Sequence, residues 1–276
     1  MHPVGPKALI VGSAPVAPRN LLPGAVFDAV DLVIAADAGF AACGRLGLRP
    51  DLAVGDFDSA GAADLARLDA SGIPIVRVPA EKDESDLELA LVEAVQRGAR
   101  TVVVLGALGG PRIEHELSAI ELLGHAADLG VEMWLIDDRS AIRLLDAGRD
   151  PDADRDRDAD RDPDAGDSPD TGRDAGVRSH PTPGPGIRSV VEGSPGDFVS
   201  LFPFAGDAQG VTTDGLRYPL HDEDLPVGPS RGLSNELLGT RGEVELRRGR
   251  LLIVHTWRSG APSPGEPSER ERSRDP

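Results

Sequence analysis

The chain has 276 residues, with 29 Lys and Arg against 47 Asp and Glu, for a formal charge of −18. That balance offers no basic footprint to a nucleic-acid backbone or an anionic membrane, so neither is expected as a partner. The single cysteine, Cys43, excludes an intramolecular disulfide, no apolar run is long enough to cross a bilayer, and the first residues lack the pattern of a signal peptide, so a cytoplasmic protein is expected.

Residues 1–138 alternate short apolar runs with helix-like segments. Ala8–Val11, Leu32–Ala36, Leu52–Val54, Ile73–Val78, Thr101–Leu105 and Val131–Ile136 each read as a buried strand between turn residues. The clearest helix lies between the fourth and fifth of these. There Leu87, Leu91 and Val95 recur at helical spacing and Gly98 closes the end. A second helix, with Leu117, Ile120 and Leu123 on its apolar side, follows His115. Repeated strand-helix alternation predicts an α/β domain with a doubly wound, mostly parallel, Rossmann-like sheet. Its ligands should sit outside the carboxyl ends of the strands.

Residues 139–260 change to short segments with partial period-two alternation, as in Asp197–Phe204, Gly215–Leu220, Glu243–Leu246 and Leu251–His255, and predict an all-β domain. Residues 149–186 interrupt it. Arg149 to Asp174 carries eleven Asp and five Arg with almost nothing apolar, and a Pro/Gly-rich stretch follows, so a disordered insertion is expected there. Residues 261–276 read as a disordered tail.

Acidic groups follow successive predicted strands: Asp37, then Asp56 and Asp58 in Gly55-Asp56-Phe57-Asp58-Ser59, then Asp83 and Asp86 in Lys82-Asp83-Glu84-Ser85-Asp86. On a parallel sheet these loops open at one edge. Asp-x-Asp in a tight loop brings two carboxylates to one point, where a cation must offset their repulsion. Hard oxygen donors in that number suit Mg²⁺ completed by water and phosphate. The competing explanations are an ordinary Asp-rich turn for the pair and helix capping for Asp83, Ser85 and Asp86. If the helix already begins at Asp83, Asp83 and Asp86 share one face. Lys82 offers a point charge for phosphate, and the implied ligand is a nucleotide polyphosphate with Mg²⁺. Gly106-Ala107-Leu108-Gly109-Gly110-Pro111-Arg112-Ile113-Glu114-His115 forms a strand-to-helix turn in which Arg112 could fork onto phosphate. His115 fits a capping role as well as a catalytic one.

The order of these motifs resembles the thiamine pyrophosphokinase (thiamin diphosphokinase) family over nearly the whole chain outside the insertion and tail. Asp37-Ala38-Gly39, Gly55 to Ser59, Lys82 to Glu88, Gly106 to His115, Gly215 to Leu220 and Gly232-Leu233-Ser234-Asn235-Glu236 carry the resemblance. It implies an α/β nucleotide-binding domain followed by a β-sandwich, a homodimer with thiamine bound near the interface, and an Mg²⁺-dependent transfer of diphosphate from ATP to thiamine with release of AMP. On that basis Asp56, Asp58 and Asp86 are expected to hold the metal and carry the catalysis. Asp37, Lys82, Asp83, Arg112 and His115 are expected to hold nucleotide or phosphate, and Ser234 and Asn235 to bind thiamine. Pro111 and Glu114 depart from the family's Gly-Gly-Arg-x-Asp-His, and Ser85 stands for its threonine. The rivals are a diphosphokinase of the same fold for another hydroxymethyl heterocycle, and a non-catalytic nucleotide- or thiamine-binding module.

Overall fold

In the computed structural model, residues 5–57, 61–79, 81–148 and 186–258 are described. Asp58, nearly all of the 149–186 insertion and the 261–276 tail lie outside them. The chain packs as two compact units. One contains residues 1–144, 196–199 and 253–276, and the other residues 145–195 and 200–252.

In the first unit, strands β1 (Lys7–Val11), β2 (Leu32–Ala36), β3 (Leu52–Gly55), β4 (Ile75–Arg77), β5 (Thr101–Leu105) and β6 (Glu132–Ile136) pair in parallel in the order β4-β3-β2-β1-β5-β6. β7 (Ser140–Asp146) adds antiparallel to β6. The strands are apolar throughout because both faces are covered: Leu9, Ile10, Val54, Val104 and Leu105 are all inaccessible to solvent. Helices α1 (Gly39–Arg45), α2 (Ala62–Ala70), α3 (Asp86–Gln96) and α4 (Ile113–Asp128) are the crossovers. α1 packs on β1, β2 and α2, whereas α3 packs on β1, β2, β3 and α4. The strand order reverses between β1 and β5, and right-handed crossovers then put the two helix pairs on opposite faces.

Glycines set two close approaches at the carboxyl edge. A Cβ on Gly39 would lie 1.9 Å from the Val11 carbonyl oxygen, so the start of α1 rests directly on the end of β1. Gly12 and Gly106 face each other across the point of reversal. A Cβ on either would come within 2.6 Å of the other's carbonyl oxygen, and Gly106 has φ +71°. The Gly12 and Ala14 amides donate to the Leu105 and Gly106 carbonyls, which carries the β1–β5 pairing into the loops.

The second unit is an antiparallel β-sandwich. One layer orders β11 (Glu223–Leu225), β10 (Ala208–Asp214), β13 (Arg241–Leu246) and β8 (Ile187–Glu192); the other contains β12 (Asn235–Glu236), β9 (Phe198–Pro203) from Ser200 onward, β14 (Arg250–Thr256) as far as Leu252, and the end of β7. Val191, Leu201, Val211, Leu225, Val244 and Leu251 fill its core.

Two sequence expectations are corrected. Gly215–Leu220 is not a strand. Gly215 turns at φ +70°, and the segment folds back on β10, with the Thr213 amide donating to the Leu220 carbonyl. Its apolar alternation reflects the burial of Leu216 and Leu220 around an exposed Tyr218. On α4, the buried stripe is Ala119, Leu122, Leu123 and Ala126, while Leu117 is 56% exposed.

Candidate active site

The loops after β2 and β3 and the start of α3 bring three carboxylates to one place. Asp37, Asp56 and Asp86 each offer an oxygen, and these oxygens lie within 4.8 Å of one another. Asp37 and Phe57 adopt left-handed backbone, φ +48° and +59°. For a non-glycine residue this costs free energy and persists only where the surroundings hold it, a pattern concentrated at functional sites. Phe57 is anchored by its buried ring, beneath the guanidinium of Arg77 at 5.6 Å. The Asp37 amide donates to the Val54 carbonyl, which ties the first acidic loop to the strand that delivers the second.

Lys82 closes the cluster. Its ammonium lies 2.7 Å from Asp86 Oδ1 and 3.5 Å from Asp56 Oδ2, with the side chain only 12% exposed. Burial pulls the ammonium pKa down, but the hydrogen bond and charge of Asp86, backed by Asp56, prevail and raise it above its ordinary value. Burial pushes the Asp86 carboxyl up, Lys82 pulls it down, and the charges of Asp37 and Asp56 push it up again. With all three carboxylates ionised, Lys82 answers one of the three charges. The remaining excess and the all-oxygen donor set fit a hard divalent cation that also binds phosphate oxygens.

Not every expected residue joins this cluster. α3 begins at Asp86, with Ser85 as its N-cap accepting from the Glu88 amide through Oγ. Asp83 therefore precedes the helix, is exposed, and shares no face with Asp86. Arg112 is exposed and its Nε donates to Glu114 at 2.7 Å, so the departure from the family pattern occupies the guanidinium locally. His115, also exposed, lies in the first turn of α4. Neither forms a hydrogen bond or ion pair with the three carboxylates. The sequence reading missed Ser13, whose hydroxyl lies 3.3 Å from Asp37 Oδ2. A serine in a Gly-Ser-Ala-Pro loop carries no distinctive spacing.

In the second unit, Ser234 is exposed at φ +57° and its amide donates to Ser200 Oγ at 3.0 Å. Asn235 is buried. Its Oδ1 accepts from the Tyr218 and Glu236 amides, and its Nδ2 donates to the Tyr218 carbonyl at 2.6 Å. That amide holds the turn together, while the Ser234 hydroxyl has no partner among the described residues.

The sequence models for the catalytic domain and for the vitamin B1 binding domain of thiamin pyrophosphokinase match residues 24–135 and 188–251 respectively. The chain belongs to the thiamin pyrophosphokinase family. It is 26% identical over 241 residues to the thiamine pyrophosphokinase of Bacillus subtilis, covering 87% of this chain and 94% of that one. Among solved structures, the thiamin pyrophosphokinase of Geobacillus thermodenitrificans is similar with a TM-score of 0.66 and 26% identity, over 92% of this chain and 98% of that one. The yeast thiamin pyrophosphokinase shares the fold, with a TM-score of 0.63 over 93% of this chain and 88% of that one, at 11% identity. The first family model spans Asp37, Asp56, Lys82 and Asp86, and the second spans Ser234 and Asn235.

Proposed function

We infer that the protein is a thiamine diphosphokinase: the thiamine hydroxyl attacks the β-phosphorus of ATP, AMP leaves from its bond to that phosphorus, and the hydroxyl proton is released. The observation that carries this reading is the Asp37–Asp56–Asp86 cluster closed by Lys82, in a chain belonging to this family. In such a transfer the protein's task is to position the groups and to neutralise charge spreading over the phosphoryl oxygens.

Asp37, Asp56 and Asp86 would hold Mg²⁺, with Asp58 of the same loop as a further candidate. When bound, the ion supplies charge neutralisation and orientation of the phosphates. Lys82 holds the carboxylates in place and presents a positive charge to the phosphates. An aspartate of the cluster accepts the hydroxyl proton. The exposed hydroxyl of Ser234 is offered to thiamine, and Asn235 positions it by fixing the turn. Asp83, Arg112 and His115 remain candidates for phosphate contact only through movement of their exposed side chains.

The same reading includes a homodimer and a cytoplasmic place of action. Exposed Tyr218, Val227, Leu233 and Leu238 in the second unit support the former, and a lone buried cysteine the latter. No helix among the described residues is long and apolar enough to cross a membrane.

Incubation of the purified protein with ATP, Mg²⁺ and thiamine tests the reaction. AMP and thiamine diphosphate should accumulate in equal amounts. Turnover with another hydroxymethyl heterocycle but not with thiamine would move the assignment to the same-fold alternative, and binding without turnover to a module that only binds.

A further inference from the structure

The loop that delivers Asp56 is held from both sides. Before it, Gly55 closes β3 against the first acidic loop: a Cβ there would lie 3.1 Å from Asp37 Cα and 3.2 Å from the Asp37 amide nitrogen. After it, Phe57 turns the chain through left-handed backbone at φ +59°, with its ring buried. Between the two, the Asp56 side chain is only 16% exposed and brings Oδ2 to 3.5 Å from the Lys82 ammonium.

A bulky residue in the left-handed region is disfavoured by its own Cβ, which is why glycine, asparagine and aspartate are the usual occupants of such turns. Here an aromatic residue stands instead, and its surroundings explain how it persists. The ring belongs to the apolar cluster that contains Ala42, Cys43 and Leu68, and the guanidinium of Arg77, at the end of β4, lies 5.6 Å from its centre. A small cavity of about 60 Å³ borders Phe57, lined also by Asp37, Phe40, Ala41, Leu65 and Leu68. Burial of a phenyl ring is comparable in free energy to the cost of such a backbone conformation. The ring's place in the core therefore fixes the turn, and the turn fixes the direction in which Asp56 leaves it.

Resting on the reading that the carboxylate cluster holds a divalent cation, we propose that Phe57 is a positioning residue: its buried ring holds the left-handed turn that aims the Asp56 carboxylate into the cluster. Phe57 acts through Asp56 and takes no part in phosphoryl transfer. It raises the metal affinity by keeping Asp56 in place before the ion arrives, so that binding needs no reordering of the loop.

The test compares the wild type with Phe57→Leu, Phe57→Ala and Phe57→Gly, and with Leu123→Ala, which removes a buried side chain from α4, on the other face of the sheet from α1. Mn²⁺ titration followed by electron paramagnetic resonance, without nucleotide or thiamine, reads the cluster directly. The Mg²⁺ concentration that half-saturates turnover reads it in the working enzyme. Phe57→Leu keeps a large apolar anchor and should stay close to the wild type in both measurements. Phe57→Ala and Phe57→Gly should weaken both by about tenfold or more, the scale on which losing the support behind a metal ligand acts. Glycine adopts the left-handed turn without strain, so loss of affinity in Phe57→Gly assigns the role to the buried ring and not to the backbone angle. Leu123→Ala should lower the melting temperature and leave Mn²⁺ affinity unchanged. If neither small variant folds, Phe57→Val replaces them with the same expectation, because a β-branched residue both fills less of the core and resists the turn. Wild-type Mn²⁺ affinity in the small variants, or an equal loss in Leu123→Ala, overturns the proposal alone. A wild type that binds no Mn²⁺ overturns the metal reading and the proposal with it.

Discussion

Exchanging Asp56 or Asp86 for Asn keeps the side chain's size while removing one negative charge from a cluster whose oxygens lie within 4.8 Å. Loss of two or more decades in kcat is expected for either variant, with a melting temperature nearly that of the wild type, the scale typical of a group that stabilises transferring charge. Near-normal kcat at saturating Mg²⁺ would return the cluster to turn chemistry. The thiamine turn divides differently between its two residues. Ser234→Ala should raise the thiamine KM with little effect on the ATP KM or on melting. Asn235→Ala removes a buried amide that makes three hydrogen bonds, and should cost about 1–3 kcal/mol of stability by thermal denaturation. At this scale the sequence was informative wherever chemistry needs a residue type: the acidic loops carrying Asp37, Asp56 and Asp86, with Lys82 beside them, were legible because they follow successive strands, although the sequence reading put Asp56, Asp58 and Asp86 on the metal and Asp37 on the nucleotide. Ser13 was not legible, because its position depends on which loops the strand order brings together. The pairing of Arg112 with Glu114 was not legible either, because it depends on rotamers that spacing does not express.

Among the elements, the buried parallel strands were the most legible, because burial on both faces writes a continuous apolar run. α3 was read from its spacing, but its start was not. Of the capping candidates Asp83, Ser85 and Asp86, it is Ser85 that caps the helix, so the helix opens on Asp86, which joins the cluster, and leaves Asp83 outside it. β10 escaped notice because Gly210, at φ +65°, sits in an irregularity of register that breaks the period-two pattern between Ala208 and Val211. The contact of α1 with β1 makes a prediction of its own. Gly39→Ala places a Cβ against the Val11 carbonyl, so helix and strand must part. A loss of about 1–3 kcal/mol in denaturant unfolding is expected, together with reduced activity, since Asp37 lies two residues before. Unchanged stability would show that α1 can shift freely on the sheet.

For the molecule as a whole, a buried histidine links stability to pH. His255 Nε2 lies 3.2 Å from Asp197 Oδ2, both side chains are buried, and the His255 ring meets Trp257 edge-on. Burial holds the imidazole below its ordinary pKa, against the pull of Asp197 and with Arg143 adding to the lowering. The unfolded chain therefore binds this proton more readily than the folded one. The contribution is complete above the unfolded value of about 6.5 and is lost as pH falls through the folded value. Melting temperature should drop between neutral pH and pH 5, and the drop should be smaller in His255→Gln; an equal drop in both proteins would assign it to other groups. Light scattering gives the assembly state, and twice the chain mass is expected. The reaction itself is tested most directly by following the phosphorus atoms. With thiamine, Mg²⁺ and ATP labelled in the α- or the γ-phosphorus in separate runs, attack at the β-phosphorus predicts γ-label in thiamine diphosphate and α-label only in AMP. Gamma-label in free phosphate or in a thiamine monophosphate, with ADP left behind, would contradict the diphosphate transfer.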